Sequence, residues 1–317
     1  MAADAADSQL KGVADDPNAT IVDRPTVQLV NGITYTGQWK GRKKHGKGKQ
    51  VWQDGAYYDG EWKDGETCGK GVFQHVDGDR YEGVWENSKA NGYGVLHHKD
   101  GSKYEGHWKD DVQHGQAKET WADGSYFEGS YVDGNKEGRG RFWWPDGSCY
   151  DGELSNNEIH GWGRYCWRDG RVYSGQWVAN RMHGYGIFHW PDGRTYKGQY
   201  DHDKKEGYGE FYWVNGKVYR GQWKDGKQHG FGIFKNPNGE MRFGLWHEGR
   251  RTEWFQNTES ADAYKRDNGV HEPEAPALPT WLVTDPLTPE EIENLKQKNN
   301  GAEPATANEN DLPNKIK

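Results

Sequence analysis

The chain is a succession of short runs in which apolar and polar residues alternate, and each run ends at a glycine-containing turn. Alternation with a period of two predicts β-strands, because successive side chains of a strand point to opposite faces of the sheet. In the segment 58–65, Tyr58, Gly60 and Trp62 share one face, and Asp64-Gly65 supplies residues that tolerate the positive φ of a hairpin turn. The pattern therefore predicts a series of β-hairpins.

These hairpins are copies of one 23-residue unit. The phrase Tyr-x-Gly-x-Trp at residues 35–39 returns at every twenty-third residue as far as Tyr219, and a tenth, divergent unit contains Phe243 and Trp246. Asp-Gly or Asn-Gly forms a second turn in each of the first nine units. With the first Tyr as position 1, position 3 is glycine in all ten units: Gly37, Gly60, Gly83, Gly106, Gly129, Gly152, Gly175, Gly198, Gly221 and Gly244.

Aromatic residues at positions 1, 5, 16 and 18 fall on the same predicted face as glycines at positions 3 and 14, which leave room for the rings to lie on the sheet. We therefore predict an all-β fold, an elongated single-layer antiparallel β-meander of stacked hairpins. With strands ~4.8 Å apart, the array would extend for roughly 90 to 100 Å. A column of indoles at position 18 is expected from Trp52, Trp121, Trp144, Trp167, Trp190 and Trp213.

The composition favours such a thin fold over a compact core. Only 32% of the residues are hydrophobic, whereas the chain has 17 Trp, 18 Tyr and 45 Gly. Three cysteines without paired spacing and without a signal peptide predict a reducing, cytoplasmic location, and no apolar run approaches the ~20 residues of a membrane span. The net charge of −8 comes from the two flanking segments, so the nearly neutral repeats give no nucleic-acid footprint.

The unit Tyr-x-Gly-x-Trp-x-x-Gly-x-x-His-Gly-x-Gly with its trailing Asp-Gly resembles the MORN motif over about residues 31–255. Ala117 and Leu154 depart from it, and position 11 is histidine only at His45, His114, His160, His183 and His229. The resemblance implies elongated sheets that act as protein-interaction scaffolds in cilia, radial spokes and other cytoskeletal structures. Some members of the family are also credited with binding phosphoinositides. No kinase, SET or transmembrane domain is expected here.

Three regions are predicted: a flexible arm at 1–25, the MORN-repeat rod at 26–255, and a mostly disordered tail at 256–317. One short helix is expected near 289–298, because Thr288-Pro289-Glu290-Glu291 supplies an N-cap, a proline at the first helical position and a capping-box glutamate. The helix is either a frayed tail element or a docking element. Trp281 and the apolar residues after it favour docking on the rod or on a partner.

The aromatic face has two interpretations, which are compatible. Its rings pack along the sheet in place of a core, or they form an open groove that receives a peptide or helix of a partner protein. The candidate groove residues are Trp121, Trp144, Trp167, Trp190, Trp213, Phe142, Tyr165, Phe188 and Phe211. Trp246, Trp254 and Phe255 are a candidate cap or homodimer edge of the last unit.

The alternative function is that of a peripheral phosphoinositide- or membrane-binding adaptor. It would use the one dense basic cluster, in the first repeat: Lys40, Arg42, Lys43, Lys44, Lys47 and Lys49. Such binding would weaken steeply with salt, whereas protein binding in the groove would not. A charge run on a strand and its turn is otherwise a solvated surface.

We expect no enzyme active site, cofactor or metal ion. The position-11 histidines fall in separate hairpins and are replaced by other residues in other units, whereas zinc ligands must converge. Gly-x-Gly in this chain precedes no helix N-terminus, so it predicts no phosphate loop. The predicted function is a non-enzymatic protein-interaction scaffold of a ciliary, axonemal or other cytoskeletal assembly.

Overall fold

In the computed structural model, which describes residues 18–297, the predicted antiparallel β-meander of hairpins is confirmed. The described residues form twenty-one strands and two α-helices, and they fall into two compact units that divide between Asn135 and Lys136. Residues 1–17, most of the predicted N-terminal arm, and residues 298–317, the end of the predicted tail, lie outside the described residues.

In the first unit, each strand from β1 to β10 pairs antiparallel with the next one along the chain. A 3-10 turn, Val30–Gly32, separates the first two strands. The strands are β1 Ile21–Gln28, β2 Thr34–Lys40, β3 Lys43–Val51, β4 Tyr57–Lys63, β5 Glu66–Gln74, β6 Arg80–Glu86, β7 Lys89–His97, β8 Lys103–Lys109, β9 Val112–Thr120 and β10 Tyr126–Val132.

The second unit continues the same arrangement through the last repeat, again with antiparallel pairing between neighbours in sequence. Its strands are β11 Asn135–Trp143, β12 Cys149–Ser155, β13 Glu158–Cys166, β14 Val172–Val178, β15 Arg181–His189, β16 Thr195–Asp201, β17 Lys204–Tyr212, β18 Val218–Lys224, β19 Lys227–Lys235, β20 Met241–His247 and β21 Arg250–Trp254.

The register gives each strand two distinct faces. In the second repeat, Tyr58 pairs with Phe73 and Gly60 pairs with Gly71, so positions 1, 3, 5, 14 and 16 share what we call the aromatic face. Positions 2, 4, 13, 15 and 17 point to the opposite side, which we call the second face. The turn between the two strands has positive φ at Asp64, as expected for a two-residue hairpin turn.

Each position-1 tyrosine lies flat across the glycines of its own hairpin. The Tyr173 hydroxyl donates to the carbonyl oxygen of Gln176 at 2.9 Å, and the same bond recurs at position 1 of seven other repeats. A Cβ at Gly186 would lie 2.3 Å from Cε2 of Tyr173. Glycine at position 14 is therefore the space in which the ring lies.

The position-5 tryptophans join one repeat to the preceding one. Nε1 of Trp62 donates to the carbonyl oxygen of Gly48 at 2.8 Å, and Trp177 donates in the same way to Gly163 at 3.1 Å. Trp39 belongs to the first repeat, and its buried Nε1 has no hydrogen-bond partner among the described residues. The stabilising contact thus depends on a neighbouring repeat, as expected for a repeat array.

At the N-terminal edge, β1 begins five residues earlier than the sequence predicts. It includes residues 21–25, which were assigned to the flexible arm. The register of β1 against β2 shifts between Arg24 and Val27, and Pro25 lies at this irregularity. Proline has no N–H to donate, so an edge strand at a bulge is a position that tolerates it.

Beyond the last strand the structure contains more order than the predicted tail. The expected helix is present as α2 (Pro289–Gln297), and Thr288 and Glu291 form its capping box. The sequence did not predict α1 (Thr258–Asp267). Its capping box uses Asn257 and Ser260 instead of a glutamate at the third helical position, and its apolar face is short, so the sequence signal was weak.

Candidate functional site

The structure brings the candidate groove residues of the second unit together in one ladder of rings. From Phe142 the ladder passes through alternate position-16 and position-18 rings, and the centroid separations along it range from 4.4 Å between Phe188 and Trp190 to 6.0 Å between Trp213 and Phe234. Aromatic pairs at these separations stabilise a protein beyond the area that they bury. The rings of the second unit therefore pack against one another along the sheet, as the packing interpretation predicts.

The same ladder buries most of the rings that were proposed to grip a partner. Trp144 is 3% exposed and Trp190 is 8% exposed, and every position-16 ring of the candidate groove is buried as well. Trp121 and Trp213 are only partly buried. A groove that binds a partner segment on this face stays a prediction, and these two indoles are the candidate residues that present the most ring surface.

The basic cluster of the first repeat is divided between the two faces. Lys44 pairs with Trp39 on the aromatic face, where its Nζ lies 4.3 Å from the centroid of the Trp62 ring. Lys47 and Lys49 pair with Glu61 and Asp59 on the second face. The remaining residues of the cluster lie at the hairpin turn: Lys40, Arg42 and Lys43. The phosphoinositide alternative stays a prediction, and fewer of these cations share one surface than the sequence implied.

Burial lowers the pKa of Lys44 to about 8, although the contact with Trp62 favours the charged form. Between about pH 8 and 10.5 the unfolded chain still holds the Lys44 proton that the folded chain has lost, so the free energy of unfolding rises with pH over this range.

We expect Lys44→Met to be more stable than wild type at pH 7 and to lose this advantage by pH 10. Urea unfolding at both pH values measures the free energy of unfolding of each variant. Lys43→Met is the control, because Lys43 is exposed. A difference between Lys44→Met and wild type that does not change with pH would contradict the prediction.

The candidate cap residues complete the last repeat from within the chain. Trp246 contacts Tyr219 and Trp254 at centroid separations of 5.0 and 5.6 Å, and Phe255 packs against Tyr264 of α1 at 5.3 Å. The guanidinium carbons of two arginines lie over the ring of Trp254. These contacts support the cap, while a homodimer through the same edge stays a prediction.

The second face of the second unit carries a segment of the same chain without helix or strand, residues 271–285, which we call the strap. Arg164 Nη1 donates to the carbonyl oxygens of Val283 at 3.0 Å and Asp285 at 2.8 Å. Ser174 Oγ donates to the Val283 carbonyl oxygen at 2.7 Å, and His189 Nε2 lies 2.8 Å from the Thr284 carbonyl oxygen. Since a carbonyl oxygen only accepts, Nε2 of His189 carries the proton.

Side chains of the strap add contacts to these backbone hydrogen bonds. The Arg139 guanidinium lies 4.2 Å from the centroid of the Trp281 ring, and Leu282 is 8% exposed. The Tyr208 hydroxyl donates to Glu272 Oε1 at 2.6 Å. Burial and this carboxylate together raise the pKa of Tyr208. Prolines recur along residues 273–286, and proline favours an extended backbone on either side of the turn at Thr280-Trp281, where the Leu282 N–H donates to the Pro279 carbonyl oxygen at 3.0 Å.

Sequence reasoning missed the three donors that hold the strap, Arg164, Ser174 and His189. One signal was present, because position 2 of the repeats is otherwise mostly charged, whereas Ser174 is small and neutral. In the structure Ser174 has no exposed surface. The docking interpretation of Trp281 and its neighbours agrees with the observed contacts.

Among residues 18–297 no helix has both the length and the apolar character needed to cross a membrane. A comparison with curated proteins gave no significant match. Among solved structures, the TCP10 domain of Danio rerio CPAP is similar with 11% identity and a TM-score of 0.36, over 65% of this chain and 98% of that chain.

The TCP domain of Drosophila melanogaster SAS-4, solved in complex with a proline-rich motif of Ana2, is similar with 12% identity and a TM-score of 0.26 over 63% of this chain and 90% of that chain. With TM-scores this low, neither structure informs the function of this chain.

The family comparison agrees with the register of the hairpins. The MORN repeat matches nine consecutive segments: 35–57, 58–80, 81–103, 104–126, 127–149, 150–170, 173–193, 196–218 and 219–241. Repeat scaffolds for protein interaction are the class of function that these matches support. Because the matched segments cover more than half of the sequence, the chain belongs to the MORN repeat family.

Proposed function

We propose that this protein is a non-enzymatic scaffold that binds extended segments of partner proteins. The strap carries the proposal, because it lies on the second face as a peptide ligand would lie. Arg164 and Ser174 donate to its main-chain carbonyl oxygens, which every peptide presents, while the burial of Leu282 selects for an apolar side chain. Recognition of this kind reads an extended backbone first and side chains second.

We further propose that the scaffold serves a cytoskeletal assembly such as a cilium or axoneme. The support for this location is the resemblance of the repeats to the MORN family. The aromatic face is the second surface that we propose for partners, with Trp121 and Trp213 as contact residues because their rings are only partly buried. Within the second unit, Trp213 lies on the aromatic face and the strap on the second face, so a partner on one leaves the other accessible.

The test opens the strap in the full-length chain and offers the same sequence in trans. Leu282→Asp places a carboxylate at a buried position of the strap and leaves the sheet intact. A labelled synthetic peptide of residues 277–287 is expected to bind this variant, measured by fluorescence anisotropy, and to bind the wild-type chain at least ten-fold more weakly, because the wild-type site is occupied in cis.

The control is the double variant Leu282→Asp, Arg164→Ala, which lacks a donor to two of the carbonyl oxygens. We expect it to lose most of the affinity for the peptide. Equal binding to the single and double variants, or no binding to Leu282→Asp when its circular dichroism matches that of wild type, would show that the second face is not a segment-binding site.

A further inference from the structure

Three side chains with metal-binding atoms meet beside the hairpin turn that follows β16. His183 belongs to β15, Asp201 is the last residue of β16, and His202 is the first residue of the turn. Two imidazole nitrogens and one carboxylate oxygen all lie within 4.8 Å of one another. Within residues 18–297 this is the one group of three such ligands that lies so close together.

The same turn in other repeats shows what is distinctive here. His45 lies 3.5 Å from Asp64, and His114 lies 3.7 Å from Asp133, so a single histidine faces a single aspartate in each case. In those repeats position 7 is the aspartate. In the eighth repeat position 7 is His202, and the aspartate, Asp201, is at position 6. The exchange adds a second imidazole, whose ring centroid is 5.5 Å from that of His183.

The contacts of His183 leave one of its nitrogens unsatisfied. Nδ1 of His183 is buried and has no hydrogen-bond partner among the described residues, although Asp201 Oδ1 lies 3.3 Å away. Nδ1 of His114 is in the same situation beside Asp133, so the second imidazole is what distinguishes the turn at His202. When Nδ1 is the acceptor nitrogen of a neutral imidazole, its lone pair faces a carboxylate oxygen, and the two repel each other. A cation between the two atoms converts this repulsion into coordination by both.

We propose that His183, Asp201 and His202 form a binding site for a divalent transition-metal ion, with Zn²⁺ as the probe of choice. Imidazole nitrogens and one carboxylate are ligands that Zn²⁺ accepts, with bonds of about 2.0 to 2.2 Å. Tetrahedral bonds of this length place ligand atoms about 3.3 Å apart, which is the separation of His183 Nδ1 and Asp201 Oδ1. Water completes the four-coordinate shell.

One adjustment is needed to admit the ion. Nδ1 of His202 now lies 2.6 Å from Asp201 Oδ1, in a hydrogen bond that the metal ion replaces. Both side chains are more than half exposed, at 58% and 54%, so they can rotate without disturbing the core. His202 has a φ of 44° in the hairpin turn, and in this conformation its ring centroid lies 5.5 Å from that of His183.

The bound ion would join two consecutive repeats. His183 lies in the seventh repeat, whereas Asp201 and His202 belong to the eighth. In an array whose stability depends on contacts between neighbours, a metal staple at this junction raises the resistance of the second unit to local opening. The site is separate from the strap and does not depend on the proposed scaffold function.

The experiment uses the untagged full-length chain, since a histidine tag would itself bind the probe. Isothermal titration with ZnCl₂ is expected to show a saturable site of one ion per chain, which His183→Ala and His202→Ala each weaken at least ten-fold. Co²⁺ in place of Zn²⁺ is expected to give the visible absorption of a four-coordinate ion, and both substitutions should abolish it.

Two controls separate this site from other histidines. His114→Ala removes the histidine of the matched turn, which has no second imidazole. This substitution should leave the affinity for Zn²⁺ unchanged. His229→Ala removes a histidine whose ring lies 5.2 Å from that of His247, a pair with no third ligand close to it among residues 18–297. This variant should also bind Zn²⁺ with unchanged affinity. The absence of saturable binding to the wild-type chain, or full affinity in His202→Ala, overturns the proposal.

Discussion

Gly175→Ala is expected to lower the free energy of unfolding of the second unit by about 3 kcal/mol. A Cβ on Gly175 would lie 2.5 Å from the Cα of Gly186 on the facing strand and 2.5 Å from the Tyr173 hydroxyl oxygen. The first of these atoms is backbone, so the strands themselves must separate to admit the methyl group. Separation would also break the contacts through which neighbouring repeats stabilise each other. Urea unfolding followed by circular dichroism measures the change.

Gly186→Ala is the matched control, because Gly186 is paired with Gly175 and the methyl group is added to the other glycine of the pair. There the closest atom is Cε2 of Tyr173 at 2.3 Å, which belongs to a ring that can tilt. The chain contains one natural example: Ala117 occupies this position in the fourth repeat. We expect Gly186→Ala to lower the free energy of unfolding by about half as much as Gly175→Ala does. An equal or larger decrease for Gly186→Ala would contradict this account.

Ring geometry in the fourth repeat supports the distinction between the two glycines. Tyr104 and Trp108 meet at an interplanar angle of 73°, whereas Tyr173 and Trp177 meet at 88°. The tyrosine beside Ala117 thus lies at a different angle and retains its hydroxyl bond to the His107 carbonyl oxygen. A methyl group at position 14 can be absorbed by the ring, but position 3 faces backbone and is glycine throughout.

Arg164→Ala is expected to release the central part of the strap. The guanidinium supplies two charge-assisted hydrogen bonds to carbonyl oxygens, at 3.0 and 2.8 Å, and their loss should cost about 2 kcal/mol of local stability. The Leu282 amide hydrogen, which is bonded to the Pro279 carbonyl oxygen at 3.0 Å and belongs to a buried residue, should then exchange roughly 30-fold faster, since opening of the strap exposes it to solvent. Mass spectrometry of peptic fragments measures this rate.

Arg141→Ala is the control for that experiment. Arg141 occupies position 15 of the preceding repeat, the same position as Arg164, but its Nε is bound to Asp151 Oδ2 at 2.7 Å. It has the same chemistry at the same place in the repeat, and among the described residues it makes no hydrogen bond or ion pair with the strap. Equal acceleration of exchange in both variants, or none in Arg164→Ala, would show that Arg164 does not hold the strap.

Several features of the fold follow from local sequence. Asp64-Gly65 and its counterparts place residues that accept positive φ at every hairpin turn, so the strands must reverse there. Side-chain alternation then gathers Tyr58 and Trp62 on one face without any long-range information. The capping box of Thr288 and Glu291 likewise involves residues only three apart, and α2 begins where it predicts.

The basic cluster shows a limit of reasoning from proximity in sequence. Lys44 and Lys47 were grouped because they are close along the chain, yet alternation places an even-numbered and an odd-numbered residue of one strand on opposite faces. The register confirms this separation. The pattern that predicted the strands therefore already contained the information that divides the cluster.

The sequence by itself determined the hairpins, the glycines that receive the tyrosine rings and the helix α2, because each depends on residues within one 23-residue unit or one helical turn. Only the tertiary structure decided that the strap lies on the second face, since Arg164 and Val283 are 119 residues apart. It also decided the burial of Trp144 and Trp190, which neighbouring repeats enclose. The physical reason is that contacts between distant residues depend on which segments the folded sheet brings together. The local conformational preferences of a segment do not encode this.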